Sequence, residues 1–343
     1  MGCEAFHRAY TIRRSRAGGK RFSAAEWLPH PVPFVQIACK SLGPRLRGDD
    51  DGNILEIRMT PIPDWLEIHR GDAPLIVSFP HTGTDLPDDL GERFASQWLA
   101  RRDADWWVHL LYDFARELGA TTLRTAISRS VIDVNRDPSG ASLYPGQNTT
   151  GLCPLATFDD EPLYLPGEEP DAAEIAHRRA TWFAPYHDVL AGEIARLRAR
   201  HPAVVVYDAH SIRSRIPHLF DGELPQFNIG TNAGASCAMA LAEAVERTCR
   251  DSGRSTVRNG RFKGGWITRH HADPAHGVHS IQMELACRGY MDESEHVDED
   301  NWPSPWRPER AAALRATLQQ VLGACLDFAR DAAAASPPPR RTA

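Results

Sequence analysis

The sequence has no uninterrupted apolar run that approaches the roughly 20 residues needed to cross a bilayer, so no membrane-spanning helix is predicted. It has no CxxC pair, and its 7 cysteines are scattered, which argues against a disulfide framework or a cysteine-ligated zinc. Reduced thiols of this kind favour a cytoplasmic protein. The GxSxG motif of serine nucleophiles is absent, and no cysteine stands in a recognisable nucleophile setting. Serine and cysteine hydrolases are therefore disfavoured.

An excess of positive charge is also lacking. Lys and Arg total 39 against 45 Asp and Glu, which gives a formal net charge of −6. This mildly acidic balance argues against nucleic acid or an anionic membrane as the main partner. With 343 residues, of which 42% are hydrophobic and 24% charged, the chain has the composition of an ordinary folded protein. The oligomeric state is not indicated.

The first 58 residues differ from the rest in charge and in pattern. They hold 8 Arg and 2 Lys against 6 acidic residues, and they show no sustained period of 2 or 3.6. Met59 then opens a stretch that is typical of a natural protein start. We therefore interpret residues 1–58 as a disordered arm or a start-site extension, 59–333 as one folded domain, and 334–343 as a frayed tail.

Within this domain, strand-like segments alternate with amphipathic helices. This order predicts an α/β fold, a single domain with a mostly parallel or mixed central sheet flanked by helices. The Pro-, Gly- and Asp-rich segment 137–170 is too long for a simple connector and is predicted to be a functional loop. Strands are predicted at 74–80, 121–128, 131–135, 203–210 and 278–285, and helices at 104–118, 171–200 (bent near Pro185), 236–251 and 307–333.

Two histidines follow predicted strands, in the place where open α/β sheets bind ligands. His81 follows the strand 74–80, and His210 ends the strand 203–210. Neutral imidazoles at strand ends are common zinc ligands, although a single histidine there is more often an ordinary hydrogen-bonded residue. A third ligand is sought among the nearby acids Asp85, Asp103 and Asp105, the last two of which are equally suited to capping a helix. Asp208, two residues before His210, is suited to orienting a ligand.

A set of motifs, taken together, carries a family resemblance over about residues 65–330. The chain resembles the N-formylglutamate deformylase (N-formylglutamate amidohydrolase) family of histidine catabolism, which is related to zinc carboxypeptidases and aspartoacylase-type deacylases. The resemblance implies a zinc carboxypeptidase-like fold and a zinc amidohydrolase domain with one Zn²⁺ per chain. It also implies cleavage of an N-formyl amino acid, N-formyl-L-glutamate, to formate and L-glutamate. The motifs are SFPHTG, RDADWWVHLLYDFARELGA, SRSVIDVNRDP, VVYDAHSIRS, FNIGT, GRFKGGWITRHHADP and HSIQMELACRGYMDE.

The resemblance implies roles for individual residues. It implies zinc ligation by two histidines and one aspartate, with Asp105 preferred over Asp103, a general base, and a receptor for a substrate carboxylate. One departure is His271, where the family pattern has Tyr. The implied zinc ligands are His81, Asp105 and His210, the implied base is Glu284, and the implied substrate residues are Arg129, Asn135 and Arg136.

The chemistry of the residues agrees with these roles. Glu284 lies in an apolar run, where a carboxylate costs free energy unless it is paired, for example with Arg288, or functional. Arginine forks are the natural receptors for the two carboxylates of a glutamate. The arginines considered for this purpose are Arg124, Arg129, Arg136, Arg213, Arg269 and Arg288.

Several alternatives remain open at this point. The glycine-rich segment 260–269 lacks the order of a phosphate-binding loop and is interpreted as a mobile flap or a place of close backbone approach. A second metal site among His270, His271, His276 and His279 is possible but has no recognised spacing. The alternative functions are a deacylase of another N-acyl acidic amino acid, or a metal- or amino-acid-binding protein without turnover. Glu284 discriminates between them, because a binding protein needs no base.

Overall fold

The computed structural model describes residues 62–143 and 146–334. The predictions for residues 1–58, and for the tail after residue 334, lie outside the described residues and stay predictions.

The described strands form one mixed sheet in the order β1-β3-β2-β4-β7-β5-β6. Strands β3, β2, β4 and β7 run parallel to one another, while β1 and β5 are antiparallel to their neighbours β3 and β7. The predicted mixed α/β sheet is confirmed. Strands β1, β5 and β6 were not predicted from the sequence. The strands are β1 Leu66–His69, β2 Leu75–Phe79, β3 Thr121–Thr125, β4 Val204–Ile212, β5 Phe227–Gly230, β6 Thr256–Arg258 and β7 Val278–Ala286.

Helices cover both faces of the sheet. Helix α5 packs on one face and helices α6 and α8 pack on the other, which leaves the central strands buried on both sides. No helix in residues 62–143 or 146–334 is long and apolar enough to span a membrane. The helices are α1 Asp88–Gly91, α2 Leu99–Arg102, α3 Val108–Leu111, α4 Ala172–Arg178, α5 Ala184–Arg198, α6 Met239–Asp251, α7 Trp266–His270 and α8 Pro308–Ala334.

Side chains along β4 point alternately to the two faces of the sheet, and the polar residues at its end point to one of these faces. Val205 and Tyr207 join the core under α6 and α8, whereas Val204 and Val206 join the core under α5. Because side chains two residues apart share a face, Asp208 and His210 lie on the α5 side, beyond the apolar part of the strand. The same alternation in β7 brings Gln282 and Glu284 to that face.

The prediction of a strand at 131–135 is wrong. This segment is a buried series of turns, and its backbone groups are bonded outside any sheet. The fully buried Arg178 donates to the carbonyl of Val131, and Nε2 of His187 lies 2.8 Å from the carbonyl oxygen of Val134. Side chains from α4 and α5 therefore take the place of a neighbouring strand.

The single helix predicted over 104–118 is interrupted. Trp107 has a φ of 64°, a left-handed conformation, and only Val108–Leu111 and the 3₁₀ turn Asp113–Arg116 are helical. Gly119, with a φ of 73°, ends this segment. The long helix predicted over 171–200 is present, with a π turn at Arg179–Phe183. This turn directly precedes Pro185, whose missing N–H weakens a regular α-helical turn.

Candidate metal centre and active site

Three buried side chains converge where β2 and β4 end. They are His81, directly after β2, Asp105, before α3, and His210 in β4. One ligand atom from each lies within 4.8 Å of the others. Oδ2 of Asp105 is 3.0 Å from Nδ1 of His210 and 3.7 Å from Nδ1 of His81. The three residues implied as zinc ligands are thus brought together, and they form a group that is able to hold a metal ion.

The backbone around Asp105 fixes its carboxylate in this group. The N–H of Asp105 donates to the carbonyl of His81 over 2.9 Å, which joins two of the candidate ligands directly. The N–H of Ser211 donates to Oδ2 of Asp105 over 3.2 Å. The left-handed turn at Trp107 then leads the chain away into α3. A non-glycine residue in this conformation carries a local strain that is common near functional sites.

Asp103 has a different set of contacts. Its Oδ2 accepts the backbone N–H of Phe158 over 2.7 Å, and its Oδ1 lies 3.6 Å from Arg213 and 3.7 Å from Arg102. Burial raises the pKa of Asp103, and the two arginines oppose that rise. Asp103 therefore anchors the loop that carries Phe158, whereas Asp105 faces the two histidines.

A second carboxylate supports each histidine. Nε2 of His81 lies 2.6 Å from Oδ1 of Asp133, and Nε2 of His210 lies 3.0 Å from Oδ2 of Asp208. Because an ionised carboxylate only accepts, each Nε2 carries a proton, and a metal ion would be bound through Nδ1 of each ring. Nδ1 of His81 is buried without a hydrogen-bond partner among the described residues. An orphaned imidazole nitrogen beside Asp105 is what a metal ion would satisfy.

Asn135 reinforces the support of His210. Its Oδ1 accepts the N–H of Ile267 at the start of α7 over 2.8 Å, which turns its Nδ2 toward Asp208, 3.1 Å away. The same Nδ2 lies 2.9 Å from Nε2 of His210. When Nδ1 of His210 serves as a ligand, Nε2 of His210 carries the proton of the ring. Nδ2 of Asn135 and Nε2 of His210 are then both donors, and Oδ2 of Asp208 accepts a hydrogen bond from each. The amide of Asn135 thus helps to hold the Asp208 carboxylate beside His210.

The charges in the group favour a bound cation. Burial, with the nearby Arg129, lowers the pKa of His81 to about 4, so this ring is neutral at pH 7. Burial also acts to lower the pKa of His210, but Asp208 and Asp105 outweigh it and hold that pKa well above its ordinary value. Although burial opposes it, the pKa of Asp105 is lowered by its hydrogen bond to His210 and by the histidine charges. The carboxylates of Asp105 and Asp208 therefore favour a positive charge in this group, either a proton on His210 or a bound metal ion.

Glu284 lies beside this group on the neighbouring strand. It is paired in register with His210 across β4 and β7, and its side chain is 7% exposed. The salt bridge to Arg288 that the sequence left open is not formed, since Nε of Arg288 lies 3.3 Å from Glu223 instead. Glu284 is thus a buried carboxylate in the cleft, adjacent to the candidate ligands.

The surroundings of Glu284 make its charged form costly. Burial raises its pKa to about 8, and Asp105 adds to the effect, while His210 opposes it. Gln282, two residues earlier in β7, accepts the N–H of Gly265 through Oε1 over 2.7 Å. Its Nε2 is thereby aimed at Oε2 of Glu284, 3.4 Å away.

Two of the predicted substrate residues, Arg129 and Arg136, lie in the same cleft. Arg129 is buried, donates to Asp133 over 2.8 Å and lies 4.9 Å from the ring centroid of Phe158. Arg136 is half-buried, and its Nε and Nη2 donate to the carbonyl and hydroxyl of Thr150, both over 3.0 Å. The cleft is lined by His81, Arg129, Asn135, Arg136, Asn148, Thr149, Thr150, Phe158, His210, Ser211, Ile212, Leu219, Arg261, Phe262, Gly265, Gln282 and Glu284.

The other arginines considered from the sequence are bound elsewhere. Arg124 pairs with Glu67, Arg213 with Asp159 and Arg288 with Glu223, while Arg269 donates to the carbonyl of Gly264.

The four histidines considered for a second metal site do not form one group in the described part of the chain. His271, the departure from the family pattern, stacks on His187, with 2.8 Å between Nε2 of His271 and Nδ1 of His187. His276 pairs with Asp273. The described residues show one group suited to a metal ion, the group of His81, Asp105 and His210.

Sequence reasoning missed three contributors to the cleft. The spacing of Gln282 could have indicated its position, because a residue two before Glu284 in a strand lies on the same face of the sheet as Glu284. Asp133 bonds His81, and this contact spans 52 positions without a local signal. Arg261 lies in the glycine-rich segment, and nothing in its own sequence neighbourhood shows that it lines the cleft.

The family model for N-formylglutamate amidohydrolase matches residues 73–291. The chain is 46% identical over 267 residues to the N-formylglutamate deformylase of Pseudomonas aeruginosa, covering 78% of this chain and 97% of that protein. The chain belongs to the N-formylglutamate amidohydrolase family. It is also 44% identical over 262 residues to the N-formylglutamate deformylase of Pseudomonas putida, covering 76% and 95% of the two chains.

Solved structures agree with the family assignment. The crystal structure of the N-formylglutamate amidohydrolase from Ralstonia eutropha JMP134 superposes with a TM-score of 0.63 and 25% identity, covering 78% of this chain and 98% of that one. The Agrobacterium tumefaciens gene product Atu2144 shares the fold, with a TM-score of 0.57 and 18% identity over 77% and 95% of the two chains. The resemblance to the family is therefore confirmed, while the predicted relation to zinc carboxypeptidases stays a prediction.

Proposed function

We propose that this N-formylglutamate amidohydrolase is a zinc-dependent deformylase that hydrolyses N-formyl-L-glutamate to formate and L-glutamate. The observation that carries the proposal is the buried group of His81, Asp105 and His210, with Glu284 beside it in an arginine-lined cleft. The names of the Pseudomonas relatives, both N-formylglutamate deformylases, support the choice of substrate.

The donor set supports zinc as the metal. Two imidazole nitrogens and one carboxylate are typical of catalytic zinc sites, which keep a further position for water. When bound, zinc acts as a Lewis acid that polarises a carbonyl and lowers the pKa of a water molecule to about 7. His81 and His210 would hold it through Nδ1, and Asp105 through Oδ2.

The remaining residues perform the proton transfer and bind the substrate. We assign Glu284 as the general base that takes a proton from the attacking water and delivers it to the leaving amine. Arg129, held in place by Asp133 and Phe158, stabilises the negative charge that develops on the formyl oxygen. We assign Arg136 and the neighbouring Asn135, which both line the cleft, to a carboxylate of the substrate.

The proposed function is tested by formate release from purified protein. N-formyl-L-glutamate is expected to be hydrolysed with a higher kcat/KM than N-acetyl-L-glutamate or N-formyl-L-alanine, and a chelator is expected to stop turnover until zinc is restored. Faster release from the acetyl compound would favour a deacylase of another N-acyl amino acid. Binding of N-formylglutamate without any turnover would favour a binding protein.

Arg136→Lys is expected to raise KM for N-formyl-L-glutamate roughly tenfold with zinc content unchanged. Lysine keeps the charge but loses the bidentate fork, and one hydrogen bond to a charged group contributes about 1.5–3 kcal/mol. Steady-state kinetics and metal analysis measure the two quantities. Arg215→Lys, at an exposed arginine paired with Glu223, is the control. A lower melting temperature with KM unchanged would show that Arg136 only anchors the loop at Thr150.

A further inference from the structure

A third arginine, Arg261, lines the cleft together with Arg129 and Arg136. It belongs to the glycine-rich segment between β6 and α7, and hydrogen bonds hold its guanidinium in place. Nε donates to the carbonyl of Leu219 over 3.1 Å, Nη1 to Oε1 of Gln147 over 2.7 Å, and Nη2 to the carbonyl of Asn148 over 2.7 Å. Arg261 is therefore a fixed cation on the cleft wall.

A glutamate substrate brings two carboxylates into the cleft, and each needs a cation because charges withdrawn from water are costly unless paired. Arg129 already has buried partners, Asp133 at 2.8 Å and Asp105 at 3.5 Å. Arg136 lies 3.7 Å from Asp133, the carboxylate that bonds His81, so it is placed to take the substrate carboxylate nearer the metal group. The second carboxylate is left to Arg261.

Arg136 and Arg261 hold the same short segment of the cleft wall. Arg136 donates to the carbonyl of Thr150, and Arg261 donates to the carbonyl of Asn148, two residues earlier. The α- and γ-carboxylates of glutamate are three carbon atoms apart, so a substrate bound along this segment would present one carboxylate to each arginine.

The bonds that hold these guanidiniums to the segment are exchangeable. The acceptors in segment 147–150 are carbonyl, amide and hydroxyl oxygens. A carboxylate forms hydrogen bonds with a guanidinium that are roughly twice as strong as bonds between neutral groups. A substrate carboxylate is thus able to take over some of these donors.

We propose that Arg261 binds the side-chain carboxylate of the substrate while Arg136 binds its α-carboxylate, so that Arg261 determines the preference for glutamate. This inference rests on the proposed deformylase function. It assigns the acidic side-chain subsite to the segment that joins β6 to α7.

Arg261→Met, compared on N-formyl-L-glutamate and N-formyl-L-glutamine, tests the assignment. The two substrates share the formyl group and the α-carboxylate, but the second has a neutral side-chain amide. The variant is expected to lower kcat/KM for N-formyl-L-glutamate roughly 10- to 100-fold, as expected for hydrogen bonds to a charged group, with a much smaller loss for N-formyl-L-glutamine. The ratio of the two values, not the absolute activity, is the measurement.

Arg136→Met is the matched variant, since it removes a cation from the same cleft but is expected to slow both substrates alike. Arg261→Lys serves where Arg261→Met does not fold, and its smaller loss is also expected for N-formyl-L-glutamate above all. Equal losses for both substrates in the Arg261 variants would overturn the inference and make Arg261 a latch between the loops at 147–148 and 219. If the unmodified protein releases no formate from either compound, the proposed function itself fails.

Discussion

His81→Ala is expected to remove bound metal and hydrolytic activity together. A catalytic zinc site usually has three protein ligands, and the variant leaves only Asp105 and His210. Metal analysis and formate release measure the two losses on the same sample. His210→Ala is expected to behave alike, with an added loss of stability because the buried Asp208 loses the ring that lies 3.0 Å from it.

The control for the metal site is a pair of isosteric changes two residues apart. Asp105→Asn is expected to lose the metal, because an amide is a weak ligand and its N–H₂ repels the cation. Asp103→Asn is expected to keep the metal and to lower the melting temperature, since Asp103 pairs with Arg102 and Arg213. Loss of metal in the Asp103 variant with retention in the Asp105 variant would refute the ligand assignment.

Glu284→Gln is expected to lower kcat by about 10²–10⁴, the usual contribution of a positioned acid–base group. The amide keeps the size of the side chain but no longer accepts the proton of the attacking water. Zinc content and KM are expected to change little, so the loss falls on the chemical step. Single-turnover measurement of formate release separates this step from product release.

Glu293→Gln is the matched control for Glu284. Glu293 is also a partly buried glutamate with a raised pKa, caused by burial, but it accepts the N–H of Ser214 and does not line the cleft. Its replacement is expected to leave kcat unchanged. If Glu284→Gln has as little effect as Glu293→Gln, Glu284 is a structural residue and not the base.

The strands that carry the site were predictable because their signals are local. An apolar run that ends in Asp208 and His210 marks β4 and its polar end, and His81 follows β2 in the same manner. The strand prediction for residues 131–135 was wrong because the β-rich composition of this segment is equally compatible with buried turns. What decided between the two was Arg178 and His187, which lie far along the chain and supply bonds that no local pattern reveals.

The choice between Asp103 and Asp105 was likewise beyond pattern alone. Both stand at the start of the same predicted helix, and only the resemblance to the family favoured Asp105. The left-handed turn at Trp107 and the contact of Asp105 with His81 distinguish them in the structure. Arg261 was missed because the arginines that reach a cleft are selected by loop conformation, which depends on contacts with residues 147, 148 and 219.

The start of α7 ties substrate recognition to turnover. Gly265 donates its N–H to Gln282, and a Cβ at this position would lie 2.5 Å from the amide of Asn135, so no side chain fits there. Arg261 lies at one end of the segment 260–265, and Gly265 lies at its other end. Gly265 contacts Gln282 and Asn135, which are the neighbours of Glu284 and His210. Binding energy gained at a distant carboxylate is then available to align the reacting groups, and a truncated substrate should lose rate as well as affinity. If Arg261 binds the substrate as proposed, changes in residues 260–265 are expected to alter kcat together with the preference for glutamate.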